Sequence, residues 1–304
     1  MQTQLLLAPL LITGGISLGF MTGENELSAA DAAHRAWLAD VYAKAAATAD
    51  ATLDGALVFG WRDRSAGARV ATAAGPRWLR LVIEQHGWAG GAFWTGNADA
   101  NDVTGVAKPW VLRHWDLTDG DWAVRAELMT LMPGARCSPT PELREPLAVA
   151  PAWWEALWSS LAAVAATATT RIALGQDDLS RRVEMFFGDR AGDTTVNTWT
   201  AAHGDLHWAN LLQPECALLD WEGWGTAPAG YDAACLYVHT LLVPAAAAAV
   251  RAELGLLLDT RDGLLAQLYA TTRMLMRVDQ GDYPGMAIPL HRNAEQVLAR
   301  LTSA

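Results

Sequence analysis

The sequence predicts an α+β protein with two lobes, the first built on a mostly antiparallel sheet and the second mainly helical. Short runs rich in β-branched and aromatic residues, separated by glycine and proline, crowd the first half of the 304-residue chain. Alanine-rich and amphipathic stretches dominate the second half, and the change falls near Pro133 and Gly134. We therefore expect an N-terminal extension over 1–29, a first lobe over 30–133 and a second lobe over 134–304.

The first lobe begins with a predicted helix over 29–51, where Leu38, Val41 and Tyr42 recur at helical spacing. "GALVFGWRD" (55–63) then predicts a strand, "RSAGARV" (64–70) a turn, and "RWLRLVIEQ" (77–85) a strong second strand.

A strand pair is predicted next in the chain. "KPWVLRHWDL" (108–117) and "WAVRAELMTLM" (122–132) are joined by "TDGD" (118–121), which has the composition of a hairpin turn. The intervening stretch, 86–109, is rich in glycine, alanine, asparagine and aspartate, and its pattern assigns no element.

The second lobe contains long amphipathic stretches. "AWWEALWSSLAAVAATATTRI" (152–172) and "DLSRRVEMFFG" (178–188) each predict a helix, and the pattern is helical again from Tyr231 to the end. Such segments are expected to pack into a mainly helical body.

Composition narrows the classes of function. The formal net charge of -11 argues against a nucleic-acid-binding protein, because no basic stripe is available for phosphates. Three widely spaced cysteines form no metal-binding pattern and are typical of a reduced, cytoplasmic chain. The first 20 residues are apolar, but they lack any lysine or arginine and are interrupted by Pro9 and three glycines. They predict no membrane span, and a poor signal peptide is the alternative to an extension.

Two polar motifs point to a specific chemistry. "HGDLHWAN" (203–210) places Asp205 five residues before Asn210, and "ALLDWEGWG" (217–225) leads from apolar residues to Asp220. Phosphoryl transfer needs one carboxylate that orients the acceptor hydroxyl, and an amide and a second carboxylate that hold Mg²⁺ against nucleotide phosphates. The spacing D-x-x-x-x-N is that of a kinase catalytic loop.

These two motifs, in this order, resemble those of the aminoglycoside phosphotransferase family, which has a protein-kinase-like fold. The resemblance implies that Asp205 is the catalytic base and that Asn210 and Asp220 bind Mg²⁺. It implies that His203 is structural, and that ATP or GTP is the phosphate donor. Relatives in this family act on aminoglycosides, choline, homoserine, sugars and other small hydroxyl compounds, so the resemblance leaves the acceptor open.

The first lobe departs from the family pattern. A lysine on the third strand is expected to hold the α and β phosphates, but Arg80 stands in the matching position, with Arg77 as the alternative if the register differs. The turn that would cover the nucleotide has only Gly67, although the amides of Ser65 and Gly67 remain available to phosphate. Candidate carboxylate partners for the arginine are Glu84, Asp99 and Asp102.

Three further positions follow from the resemblance. The segment "AELMTLMPG" (126–134) resembles the connection between the lobes, so Met129 to Leu131 are expected to offer main-chain groups to the purine. Asp232 matches an aspartate that braces the catalytic loop, with an acceptor contact or a helix cap as alternatives. Glu222 and Asp232 are the acidic residues nearest the motifs, and an acidic rim suits an amino sugar.

The sequence thus predicts a Mg²⁺-dependent kinase of a small hydroxyl compound such as an amino sugar or amino alcohol. The alternative is a catalytically silent kinase-like protein that binds nucleotide or a metabolite. The acceptor, the choice between ATP and GTP, and the oligomeric state are not determined by the sequence.

Overall fold

The structure, a computed structural model, describes residues 28–302. Apart from its last two residues, the predicted extension over 1–29 lies outside this range. Within it, no helix is long and apolar enough to cross a membrane.

The first lobe is built on a six-stranded antiparallel sheet. Its strands are β1 (Thr52–Leu53), β2 (Val58–Phe59), β3 (Ser65–Thr72), β4 (Gly75–Gln85), β5 (Val111–Asp119) and β6 (Trp122–Thr130). The order across the sheet is β1-β3-β4-β6-β5, and β2 also pairs with β3. Helix α1 (Ala29–Thr48) packs on the sheet, and the buried Tyr42 hydroxyl donates to the carbonyls of Ala68 and Leu79 at 3.3 and 3.1 Å.

The turn predicted over 64–70 is wrong, because that stretch is strand β3. The chain turns earlier, at a short 3-10 helix over Trp61–Asp63, and the strand predicted over 55–63 shrinks to Val58–Phe59. Gly67 suggested a turn, but the structure shows that it lies within β3 and leaves room for the Trp78 ring. A Cβ there would lie 2.7 Å from that ring.

The other first-lobe predictions are confirmed, with altered ends. Strand β4 spans the predicted 77–85, and the hairpin of β5 and β6 forms, with β5 starting three residues late and β6 ending two residues early. The unassigned stretch contains helix α2 (Gly91–Asp99). This helix packs on the second lobe so closely that a Cβ on Gly96 would lie 2.3 Å from the Glu222 carbonyl oxygen.

The second lobe is mainly helical, as predicted. Its helices are α3 (Pro151–Ala165), α4 (Gln176–Phe187), α5 (Tyr231–Val238), α6 (Pro244–Leu258), α7 (Arg261–Val278) and α8 (Ala287–Leu301). Its short strands are β7 (Ala135–Arg136), β8 (Trp199–Ala202), β9 (Leu212–Gln213) and β10 (Gly225–Pro228), paired as β7 with β9 and β8 with β10. The helix predicted over 152–172 ends early, at Ala165, where a threonine-rich stretch follows that disfavours helix.

Each half of the chain has its own hydrophobic core. One core joins α1 to the six-stranded sheet, and a larger one joins the helices of the second lobe. Residues 131–134 connect β6 to β7 at the passage from sheet to helices. The exact lobe boundaries given above stay a prediction.

Candidate active site

The first polar motif forms a loop between β8 and β9 whose backbone is held from two sides. Both carboxylate oxygens of Asp232, on α5, accept backbone N–H groups, from His203 at 2.7 Å and from Gly204 at 3.0 Å. The fully buried His203 ring bonds through Nε2 to the Leu219 carbonyl at 2.8 Å, which links the loop to the second motif. Gly204 has φ +87°, and a Cβ there would lie 2.2 Å from the Gly223 carbonyl oxygen. The loop is therefore rigid, and only glycine fits its second position.

Asp205 projects from this loop, with its side chain 42% exposed. Its Oδ1 accepts a hydrogen bond from Arg273 at 3.0 Å, and its Oδ2 lies 3.6 Å from His207 Nε2. Desolvation raises the pKa of this carboxyl, but the charge of Arg273, helped by His207, outweighs it and holds the pKa well below its usual range. Asp205 is thus an ionised acceptor at neutral pH.

Asn210 and Asp220 present oxygen atoms beside Asp205. Asn210 donates through Nδ2 to the Asp205 main-chain oxygen at 3.1 Å, and within the described residues its Oδ1 accepts no hydrogen bond. Asp220 has φ +63° and a side chain that is 42% exposed. Both side chains line the same cavity as Asp205, so the three motif residues are brought together as predicted.

Arg80 lies on β4 and reaches across to the second motif, with only 13% of its side chain exposed. It is 3.4 Å from Glu127 on β6, 3.4 Å from Asp220, and in a short hydrogen bond with Glu222. Burial raises the pKa of Glu222 to about 7 against the lowering effect of Arg80, and the charge of Asp220 adds to the rise. The Arg80 guanidinium therefore contacts three carboxylates, those of Glu127, Asp220 and Glu222.

The carboxylates that the sequence offered as partners lie elsewhere. Glu84 pairs with Arg64 at 2.8 Å, and Asp99 pairs with Arg171 at 2.6 Å. Within residues 28–302, no ion pair joins Asp102 to Arg80. The prediction failed because the true partner on the sheet, Glu127, follows from strand register: it stands directly opposite Arg80.

Three site residues were missed from the sequence. Glu127 is the one acidic residue in the mostly apolar strand β6, and this position could have marked it as a candidate site residue. Asn97, on α2, donates to Glu127 at 2.9 Å and accepts the Trp221 N–H at 2.8 Å, which couples the sheet to the second motif. Arg273 lies on α7, 68 residues after the carboxylate that it contacts, and no sequence pattern marks it.

Two cavities, each of about 630 Å³, meet at these residues. The sheet-side cavity lies under β2 to β4 and reaches Met129 and Leu131, and the helix-side cavity lies against α4 and α7. Arg80, Asp205 and Asp220 line both, so they stand where the contents of the two cavities would touch.

The connection between the lobes borders the sheet-side cavity as the resemblance implied. Met129 is the next-to-last residue of β6 and is buried, whereas Leu131 is the first residue after the strand. Within the described residues, the main-chain groups of Leu131 make no hydrogen bond. They are available to a ligand in that cavity.

The predicted acidic rim is not formed. Asp232 lies buried under the loop, and Glu222 is paired with Arg80, so neither carboxylate is free for a cationic acceptor. The tryptophans of the two motifs are almost wholly buried: Trp208, Trp221 and Trp224.

The donor set suits Mg²⁺. Within residues 28–302, no group of three His, Cys, Asp or Glu side chains could hold a metal. Mg²⁺ needs no such cage, because it binds through one or two protein oxygens with phosphates and water. The unpartnered Oδ1 of Asn210 and the excess of carboxylates around Arg80 fit such an ion.

The chain is similar in structure to solved aminoglycoside phosphotransferases. The crystal structure of aminoglycoside phosphotransferase APH(4)-Ia aligns with a TM-score of 0.55 at 12% sequence identity, over 88% of this chain and 97% of that chain. A thermostable mutant of that enzyme, in ternary complex with ADP and hygromycin B, aligns with a TM-score of 0.51 at 13% identity, over 84% and 92% of the two chains. The predicted bilobal, protein-kinase-like fold is thus confirmed. No family model matches the chain, and no curated protein matches it.

Proposed function

We propose that the chain is a Mg²⁺-dependent phosphotransferase that moves the γ-phosphate of a nucleoside triphosphate to a hydroxyl of a small molecule. The observation that supports this most strongly is the meeting of two cavities at Asp205 and Asp220, with Asn210 beside them in the sheet-side cavity, on a fold shared with phosphotransferases. The nucleotide occupies the sheet-side cavity and the acceptor occupies the helix-side cavity.

Asp205 is proposed to orient the acceptor hydroxyl. Its ionised carboxylate accepts the hydroxyl hydrogen bond and takes the proton as the oxygen bonds to the γ-phosphorus. The bond from that phosphorus to the β–γ bridging oxygen breaks, and its electron pair leaves on the nucleoside diphosphate. Since the low pKa of Asp205 makes it a weak base, it acts mainly by positioning until the new bond is well advanced.

Asn210 and Asp220 are proposed to hold the metal through Oδ1 and a carboxylate oxygen. Bound Mg²⁺ supplies neutralisation of the charge on the β and γ phosphates. Arg80 replaces the usual lysine and directs its guanidinium to the phosphates, for which its planar fork is suited. Main-chain groups of Met129 to Leu131 are proposed to bind the purine edge, and they leave ATP and GTP both possible as donors.

A catalytically silent, nucleotide-binding protein is the second candidate. One observation favours it: both catalytic carboxylates already face an arginine, Asp205 with Arg273 and Asp220 with Arg80. A phosphotransferase has to release Asp220 from Arg80 when the metal and nucleotide enter, whereas a silent protein does not.

Thermal denaturation with nucleotide, with and without Mg²⁺, separates these candidates at low cost. A ligand that binds the native state raises stability by RT ln(1 + [L]/Kd), so metal-dependent stabilisation supports the phosphotransferase. Stabilisation by nucleotide that is indifferent to Mg²⁺ would support the silent protein.

A Mg²⁺ series on two variants tests the roles of the carboxylates, once an acceptor is known. Asp205→Asn should keep Mg-nucleotide binding while turnover falls about 10²-fold or more, since concentration cannot replace a proton acceptor. Asp220→Asn should weaken Mg-nucleotide binding, and raised Mg²⁺ should recover part of the activity. Rescue of Asp205→Asn, but not of Asp220→Asn, by Mg²⁺ would reverse the assignment.

A further inference from the structure

The helix-side cavity is rich in arginine, although the chain as a whole has a formal net charge of -11. Six arginines line it: Arg64, Arg80, Arg171, Arg182, Arg273 and Arg277. Its carboxylates are Asp205, Asp220 and Glu222. The first two also line the sheet-side cavity, and Glu222 is hydrogen-bonded to Arg80, which lines both cavities. Arg80 and Arg273 contact these carboxylates, so any excess positive charge in the cavity comes from the other four arginines.

Three of these arginines are already neutralised by carboxylates just outside the cavity. Arg64 pairs with Glu84 at 2.8 Å and Arg171 pairs with Asp99 at 2.6 Å. Arg277 pairs with Asp282, also at 2.6 Å. These pairs frame the cavity without giving it a net charge.

Arg182 differs from the other arginines. It lies on α4, and within residues 28–302 no ion pair joins it to a carboxylate. Its guanidinium lies over the Tyr269 ring, 5.3 Å from the centroid, which fixes its position without satisfying its five N–H donors. A buried or half-buried arginine without a counterion is a ready site for an anion.

Arg273 faces the same space from α7. It donates to the Tyr231 hydroxyl at 2.7 Å and to Asp205 at 3.0 Å. The Tyr231 and Tyr269 rings lie 6.0 Å apart, so the two tyrosines connect the surroundings of Arg273 to those of Arg182. Arg273 thus lies beside the Asp205 carboxylate, and Arg182 lies on the far side of the two tyrosines.

We propose that the acceptor carries an anionic group, a carboxylate or a phosphate monoester, which Arg182 and Arg273 bind. The inference rests on the proposed function: the same acceptor presents its hydroxyl to Asp205, and the balanced transfer step given above is unchanged. A cationic group beside Arg182 is disfavoured, because two unit charges of like sign at 4 Å repel each other. This reverses the expectation of an amino sugar, which depended on an acidic rim that does not form.

Small acceptors that share a hydroxyl and differ in charge test the inference. The anions are D-glycerate, glycerol 3-phosphate and glucose 6-phosphate, the cations are ethanolamine, choline and glucosamine, and the neutral compounds are glycerol and glucose. Binding is measured by thermal denaturation without nucleotide, and transfer is measured by nucleoside diphosphate release with Mg-nucleotide. The D-glycerate and glycerol 3-phosphate arms distinguish a carboxylate site from a phosphate site.

The variant is Arg182→Gln and the matched control is Arg181→Gln. Arg181 is the neighbouring arginine on the same helix, it pairs with Asp178, and it lines neither cavity. Loss of charge-assisted hydrogen bonds should raise the Kd or KM for anions about 10- to 100-fold in Arg182→Gln. The kcat and the Mg-nucleotide Kd should change much less, and Arg181→Gln should behave as the wild type. Arg182→Glu should shift the preference toward the cations.

The outcomes separate the inference from the proposed function. Arg182-dependent binding of anions without transfer to any compound supports the anion site and contradicts the phosphotransferase. Transfer to the cations in preference to the anions supports the phosphotransferase and overturns the anion site. The anion site is also overturned if no anion stabilises the protein, or if Arg182→Gln and Arg181→Gln have equal effects.

Discussion

Replacing Arg80 removes a cation that three carboxylates share at the junction of the two cavities. In Arg80→Met the carboxylates of Glu127, Asp220 and Glu222 lose a partner that is 3.4 Å away from the first two and hydrogen-bonded to the third. Methionine keeps most of the side-chain volume, so that the change tests charge rather than packing.

The cost can be worked from these contacts. Breaking a buried ion pair destabilises a protein by about 3–5 kcal/mol. Two features reduce that figure here: Asp220 is 42% exposed, and Glu222, with a pKa of about 7, takes up a proton readily once the cation is gone. We expect a loss of about 2–3 kcal/mol, which corresponds to a fall in Tm of roughly 3–5 °C for a chain of this size.

Nucleotide affinity is the second readout. If Arg80 binds the phosphates, Arg80→Met should raise the Kd of Mg-nucleotide about 10- to 100-fold, the value of a charge-assisted hydrogen bond or two. Arg80→Lys restores the charge and should recover most of the affinity. Titration calorimetry at saturating Mg²⁺ measures both variants.

Arg77→Met is the matched control. Arg77 lies on the same strand, but among the residues that the structure describes its guanidinium donates only to the carbonyls of Ala74 and Pro76, and it lines neither cavity. It should leave Tm and nucleotide affinity nearly unchanged. The reasoning is refuted if Arg80→Met keeps nucleotide affinity within two-fold of the wild type, or if Arg77→Met matches its losses.

Two further predictions concern the loop that carries Asp205, and a third concerns the buried Lys108. Gly204→Ala should cost at least about 2 kcal/mol in urea unfolding, because it adds left-handed strain and a clash, whereas Gly223→Ala, where an added Cβ meets nothing within 4 Å, should cost far less. Asp232→Asn should cost about 1–3 kcal/mol and lower turnover, since one of two backbone N–H groups loses its acceptor; a turnover equal to wild type would show that the brace is dispensable. Burial lowers the pKa of Lys108 from 10.5 to about 8, so the unfolded chain binds more protons between these values and wild-type stability should rise with pH across that window. Lys108→Met should lack this rise and be more stable at pH 7 by about 1–3 kcal/mol, and parallel pH profiles of the two proteins would contradict the argument.

The sequence by itself determined the fold class and the three residues at the centre of the site. Asp205, Asn210 and Asp220 lie within 16 residues of one another in two short motifs, so their proximity depends on local chain geometry. The strands β4 to β6 could likewise be predicted from the sequence. The β-branched and aromatic residues that favour a strand lie within that strand's own segment, so the pattern does not depend on the rest of the fold.

Only the tertiary structure decided what surrounds those residues. Glu127 meets Arg80 through strand register, and Arg273 approaches Asp205 from a helix far along the chain. Such contacts depend on how helices and strands pack against one another. The sequence does not indicate whether a carboxylate or guanidinium will contact solvent, the backbone or a buried ion. The arrangement of charge in the helix-side cavity therefore could not be predicted from the sequence, because side chains from both lobes contribute to it.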